Sequence, residues 1–304
     1  MSTSNAAQDL VTLGPDVSRR RQRMFTVCIL LFTLPGAFLL AILFGSVDLP
    51  LFGVLGALWT DAGDAQTNLI VDAIRLPRAL LAALVGAVLA ICGAASQGLF
   101  RNPLADPSLI GVTAGASAGA SLMIVIGGSL LAGQWGLWLV SLGAFAGGVL
   151  TVWIVYRLAT GPSGTSVASM LLAGIAITAL AGSFTSLLAY TASNDMLRRI
   201  SLWQMGGLDG ANYARVSLAF AVAALVMVLI PRYARALNAL LLGESEARYL
   251  GFDIAAVQRT LIILIAAGVG SSVALAGTIS FVGLVVPHII RLAIGPDHRF
   301  LLPL

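Results

Sequence analysis

Eight long apolar runs fix what this chain can become. They lie near residues 25–45, 78–99, 109–130, 137–157, 167–191, 214–230, 260–277 and 279–294, and the stretches between them are too short to fold by themselves. Most approach the roughly 20 residues that a helix needs to cross hydrocarbon. With 59% hydrophobic and 10% charged residues over 304 positions, no water-soluble core of this size has room for so much apolar surface. The sequence therefore predicts an all-α, polytopic helical membrane protein: eight visible spans in one domain, residues 25–304, behind a polar tail at 1–24.

Charge orients the spans. Arg19, Arg20, Arg21 and Arg23 precede the first run, which is too long for a cleaved leader and is followed by seven more. It reads as a retained helix with its amino end in the cytoplasm. Alternation then puts Arg75, Arg78, Arg198, Arg199 and Arg215 outside and the other twelve arginines inside, the expected bias. Ala276, Gly277 and Thr278 form the turn between the last two spans.

What is missing excludes several functions and leaves an ion-coupled secondary transporter as the alternative reading, since backbone carbonyls can also hold sodium. All 17 basic residues are arginine, so the chain holds neither a lysine-bearing phosphate loop nor a Schiff-base lysine. The eight runs contain no Asp or Glu, which argues against an ion-coupled carrier, and no constellation suited to an intramembrane enzyme. Cys28 and Cys92 read as small buried side chains, and His288 and His298 as a structural hydrogen bonder and part of a surface turn; no metal site is implied. The arginines sit at membrane borders without interleaved aromatics, so nucleic acid is not a partner.

Four patterns stand out. In residues 237–253, Leu237, Leu240, Leu241, Ala247 and Leu250 recur at helical spacing, broken at Gly243 and ended at Gly251, which predicts two short helices at a glycine hinge. Glu244, Glu246 and Arg248 are placed as the helix dipole favours. Arg75-Leu-Pro-Arg78 reads as an exposed, proline-stiffened corner opening the second span, suited either to lipid headgroups or to carboxylates of a docking protein. Gln97-Gly-Leu-Phe-Arg101-Asn102-Pro103-Leu-Ala-Asp106-Pro107 predicts a fixed cytoplasmic corner with Asp106 as cap. The run from Ala274 to Arg291 places Pro287 to kink the last helix.

Small residues form two rows. Gly111, Gly115 and Gly119 share a face suited to close helix packing, opposite Thr113, Ser117 and Ser121. Gly174, Thr178, Gly182 and Thr185 make a weakly polar face that fits either helix packing or a path for a large solute. Gly161-Pro-Ser-Gly-Thr165-Ser166 is a cytoplasmic loop open to tight turns and to movement. Residues 194–210 predict an amphipathic helix on the outer surface with Trp203 at headgroup level.

Together these patterns resemble the FecCD-type permeases, the membrane subunits of ABC importers for haem, iron-siderophores and vitamin B12; the wording of 97–107 is most similar to haem permeases. The resemblance implies a homodimeric permease in a bacterial inner membrane, with two ATP-binding subunits, a periplasmic binding protein and lipid as partners. It implies no cofactor on this chain, ATP and Mg being held by the partner ATPase. It assigns Gly243, Glu244, Ala247, Arg248, Leu250 and Gly251 to ATPase coupling and Arg75 and Arg78 to binding-protein docking. It assigns Gly174, Thr178, Gly182 and Thr185 to the path, and Thr165 and Ser166 to a cytoplasmic gate. The family continues through two further helices after the Gly295-Pro-Asp-His-Arg turn, so ten spans are implied where eight are read.

Overall fold

The apolar runs fold into helices that pack as a bundle with two chemically distinct ends. The computed structural model describes residues 15–59, 64–127, 134–162 and 164–304. Helix α1 is Pro15–Leu43 and α2 is Leu51–Trp59; α3, Ala65–Ile70, passes through a π turn at Val71–Arg75 into α4, Leu76–Leu99. A 3₁₀ turn at Pro107–Ile110 leads to α5, Val112–Gly127, and α6 is Gln134–Ala159. A two-residue hairpin, β1 Thr160–Gly161 and β2 Gly164–Thr165, precedes α7, Val167–Thr191, and α8, Asn194–Gln204. Helix α9, Tyr213–Leu229, runs through a 3₁₀ turn into α10, Ala234–Leu240. Then follow α11, Glu244–Tyr249, α12, Ile254–Ala276, α13, Val282–Ile294, and α14, His298–Leu301.

Among the described residues six helical stretches are long and apolar enough to cross a membrane: Arg23–Leu43, Ala65–Leu99, Trp135–Ala159, Val167–Thr191, Tyr213–Leu240 and Ile254–Ala276. The expected third and eighth spans are shorter helices, Val112–Gly127 and Val282–Ile294. At 1.5 Å per residue α13 is about 20 Å long, less than the roughly 30 Å of hydrocarbon. Backbone chemistry shortens them. Gly111 (φ +79°) stops the turn before α5, while Gly277 and Phe281 (both φ +69°) keep 277–281 out of the helix.

Both breaks turn into the bundle. The Leu109 carbonyl lies against Gly174, Pro107 against Gly283, and the Gly283 carbonyl against Gly93 in the middle of α4. The 97–107 pattern forms the expected corner, with Asp106 accepting from the Ser108 N–H at 2.8 Å as its cap, and the chain then re-enters the bundle. Pro287 explains the last contact, because it has no N–H for the carbonyl four residues back. That carbonyl belongs to Gly283, and the missing side chain at Gly93 gives it room.

The second span also differs from expectation. Helix continues from Ala65 to Leu99, so Arg75-Leu-Pro-Arg78 lies within a helix and opens none. The π turn widens the helix where the Pro77 ring would otherwise press on the preceding turn.

Helices α4 and α12 are the most deeply buried, with α9, α13, α5 and α6 around them, while α1 and α7 lie at the edge. The predicted glycine face is a packing face: a methyl on Gly115 would come 2.5 Å from the Gly147 carbonyl, and Gly119 meets Gly143. Thr113 of the opposite face lines a small cavity beside the two backbone breaks.

Candidate functional site

Residues 237–253 form the two short helical segments about a glycine hinge that their spacing predicts. Helix α10 buries Leu237 and Leu240, α11 buries Ala247, and Gly243 (φ +127°) and Gly251 (φ +88°) supply backbone turns that L side chains rarely adopt. Outward, Leu242, Tyr249 and Leu250 are all exposed, Tyr249 at 91%. Leu241 is exposed as well, although it continues the apolar spacing of α10.

Glu244 ties this element down. Its carboxylate lies 3.9 Å from Arg248, one helical turn on, and 3.8 Å from Arg101 beyond the end of α4. Both pairs are long and solvent-facing, so each is worth at most about 1 kcal/mol. Arg101 occupies the left-handed region (φ +51°), where its own N–H reaches the Gly98 carbonyl and the Asn102 N–H reaches Gln97. Helices usually end this way on glycine. An arginine here holds its guanidinium over Glu244 at some cost in backbone strain.

Gln97, the first residue of the 97–107 pattern, and Asn238, which the sequence did not single out, are polar links. Gln97 accepts from Arg291 at 2.7 Å and donates to the Leu284 carbonyl at 3.2 Å, joining α4 to both ends of α13. Asn238 of α10 donates to Asp297 at 2.6 Å and accepts from the backbone and ring nitrogens of His298 at 2.9 and 2.8 Å. His298 is thus no surface residue: it is 1% exposed, packed beside Gly98. Burial, helped by the Arg291 charge, pushes its imidazole down to about 4. Hydrogen bonds from Arg299 hold the Asp297 carboxyl well below the usual carboxylate range. His288, by contrast, is exposed.

At the other end of the bundle the two arginines of the Arg75-Leu-Pro-Arg78 pattern part company. Arg75 is 7% exposed and donates to the carbonyls of Ile42 and Leu43, both at 2.7 Å, and to that of Val47. It caps the carboxyl end of α1, where a cation meets unpaired carbonyls and the negative pole of the helix. The expectation of two exposed arginines is corrected: only Arg78 faces outward, paired with Asp209 at 2.7 Å.

The row on α7 is also divided. Gly174 is buried against Leu109 and Ile110, and Thr185 is buried with its hydroxyl donating to the Ala181 carbonyl. Those two serve packing, so they line no open wall; Thr178 and Gly182 are exposed. In the loop before α7, Thr165 pairs with Thr160 across the hairpin, with 3.0 Å between hydroxyls, and Ser166 caps α7. Ser163 of this loop lies outside the described residues. Helix α8 carries Trp203, half-buried and packed against the core, and its carboxyl end lies against Gly277.

The profile of the FecCD transport family matches residues 29–304. The chain is 44% identical over 250 residues to the hemin transport system permease protein HmuU of Yersinia pestis, covering 81% of this chain and 73% of that one. It is 42% identical over 236 residues to the cobalamin import system permease protein BtuC of Halobacterium salinarum, covering 78% of this chain and 62% of the relative, less than two thirds of its length. It is 40% identical over 251 residues to the vitamin B12 import system permease protein BtuC of Salmonella paratyphi A, covering 82% and 75%. The fold matches a solved inward-facing putative metal-chelate type ABC transporter with a TM-score of 0.78 and 30% identity, over 92% of this chain and 83% of that one.

Proposed function

This chain belongs to the FecCD transport family, and from that premise we propose that it is the membrane permease subunit of an ATP-driven importer for haem or a related iron chelate. In this reading two copies of the chain form the path across a bacterial inner membrane, a periplasmic binding protein delivers the cargo, and two partner subunits bind Mg-ATP and hydrolyse it. The chain's relation to a hemin permease favours haem as cargo. A second reading, cobalamin, is favoured by the relatives at 42% and 40% identity, and a ferric siderophore belongs to the same chemical class as haem.

The observation that carries the proposal is the built form of residues 237–253. Exposed Leu241, Leu242, Tyr249 and Leu250 give the element an apolar surface for a groove on a soluble partner, and Gly243 and Gly251 fix its shape. Its links lead inward. Glu244 reaches Arg101 at the end of α4, Gln97 joins α4 to α13, and Asn238 joins α10 to the segment following α13. A displacement of this element by a nucleotide-driven partner is thereby delivered to α4 and α13 together, and α13 borders the two backbone breaks inside the bundle. Arg78 is the exposed cation for a carboxylate of the binding protein, with Asp209 holding it until that partner arrives.

The test is reconstitution in liposomes with the partner ATPase and binding protein, comparing ATP-dependent uptake of haem, a ferric siderophore and cobalamin. Haem uptake that requires ATP and both partners is expected. Uptake by the permease alone under an ion gradient would overturn the reading.

A further inference from the structure

At the end of the bundle opposite residues 237–253, a cavity of about 550 Å³ lies between α6, α8 and the carboxyl end of α12, and Arg215 forms part of its wall. Arg215 is 7% exposed. Its guanidinium donates to the Leu275 carbonyl at 3.1 Å and to the Ser141 hydroxyl at 3.1 Å, and that hydroxyl donates on to the Ala274 carbonyl at 2.7 Å. All of these acceptors are neutral. The ion pairs among the described residues are Arg78–Asp209, Arg101–Glu244, Arg248–Glu244 and Arg299–Asp297, none of which includes Arg215. Carbonyl dipoles solvate a buried cation but leave its charge uncancelled, and buried charges are as a rule paired.

The rest of the wall says what kind of anion fits. Val140, Leu202, Trp203 and Met205 make it apolar, with Leu202 and Met205 exposed; Arg199 adds a second cation, and the one carboxylate of the lining, Asp209, is already paired with Arg78. Trp135 nearby is exposed at 79%. Tryptophan and arginine around an apolar opening at the end of a membrane bundle mark the headgroup level, where an anionic group arrives attached to hydrocarbon. We propose that this cavity binds a membrane phospholipid, its phosphate facing Arg215 and Arg199 and its acyl chain passing over Leu202 and Met205. The site is separate from the coupling element, so it stands or falls independently of the transport reading.

The experiment is lipid binding to the detergent-purified, delipidated full chain, read by native mass spectrometry and by thermal unfolding. The probes are phosphatidylglycerol, diacylglycerol of the same chains, and inorganic phosphate. Phosphatidylglycerol should bind at least tenfold more tightly than diacylglycerol and raise the unfolding temperature, inorganic phosphate should do neither, and Arg215→Gln should abolish the preference. Equal binding of the two lipids, an unchanged preference in Arg215→Gln, or full replacement of the lipid effect by inorganic phosphate would each overturn the proposal. If Arg215→Gln does not fold, Val140→Trp fills the cavity and leaves the guanidinium's partners in place. It should lose the tight lipid, and retention would overturn the proposal equally.

Discussion

Asn238 holds His298 by two hydrogen bonds to one atom: its Oδ1 accepts from the His298 backbone nitrogen at 2.9 Å and from ring Nδ1 at 2.8 Å. Because Nδ2 of the same amide donates to Asp297, the orientation of the side chain is fixed and Nδ1 must carry the ring proton. Nε2 is left as a buried acceptor beside Gly98, with no hydrogen-bond partner. A neutral imidazole suits this site and a charged one does not.

Acid should therefore loosen this end of the bundle. His298 titrates near 4 in the folded chain and near its ordinary value of about 6.5 when unfolded, so the unfolded chain takes up the proton first. Stability is complete above pH 6.5 and falls as pH drops toward 4, by up to about 3 kcal/mol. Asp297, with its lowered value, stabilises the folded chain throughout this range and gives up that contribution only as pH falls below the usual carboxylate range. Unfolding temperature measured from pH 7.5 to 4.5 should decline in the wild type and stay flatter in His298→Gln. Asn238→Ala should cost about 2–4 kcal/mol at pH 7.5, since it strands the buried partners of the amide.

Gly93 and Pro287 should behave as a pair. A methyl at Gly93 collides with the Gly283 carbonyl, backbone against backbone, and overpacking of this kind costs about 1–3 kcal/mol. Pro287→Ala restores an N–H that draws this carbonyl back into the helix of α13. Gly93→Ala should therefore lower the unfolding temperature, and adding Pro287→Ala should recover part of it; strict additivity in the double-mutant cycle would refute the link.

The two arginines of the Arg75-Leu-Pro-Arg78 pattern should separate stability from docking. Arg75→Gln removes a buried cap with at least two good hydrogen bonds and should cost about 2 kcal/mol or more. Arg78→Glu breaks only an exposed pair and should change stability by less than about 1 kcal/mol. Affinity for the binding protein, measured by surface plasmon resonance, should fall at least tenfold in Arg78→Glu.

Arg101 offers a similar separation at the other end. Arg101→Gly relieves a left-handed residue, worth about 1 kcal/mol, while removing the contact with Glu244. The unfolding temperature should hold or rise as ATP-driven uptake falls. The double variant Glu244→Gln, Arg248→Gln should insert normally and lose stimulation of the partner ATPase. Unchanged uptake in both variants would remove these residues from the coupling role.

How far the sequence reached can be judged residue by residue. Apolar run length gave the helices and the two-ended order of charge, because hydrocarbon forces every backbone group in a span to be satisfied locally. Each observed pair between the helical segments, Arg78 with Asp209 and Arg101 with Glu244, joins residues that simple alternation puts on one side. Glycine spacing gave the close-packing face of α5 and the hinge at Gly243, since a missing side chain is itself a local fact, while the partner of that face, α6, came from the fold. The proposed coupling role rests on family wording, since no single residue type announces it.

Burial of polar groups was decided by tertiary structure alone. Nothing adjacent in sequence to Arg75 distinguishes it from Arg78; the carbonyl end of α1, some thirty residues away, draws one inward and leaves the other in solvent. His298 looks like a turn residue until Asn238, sixty positions earlier, meets it, and the breaks at 107–111 and 277–281, far apart in the chain, come to line one cavity. Sequence set what each segment prefers by itself. Which polar group found a partner depended on segments far apart in the chain, and in an apolar bundle that pairing determines where each group is placed.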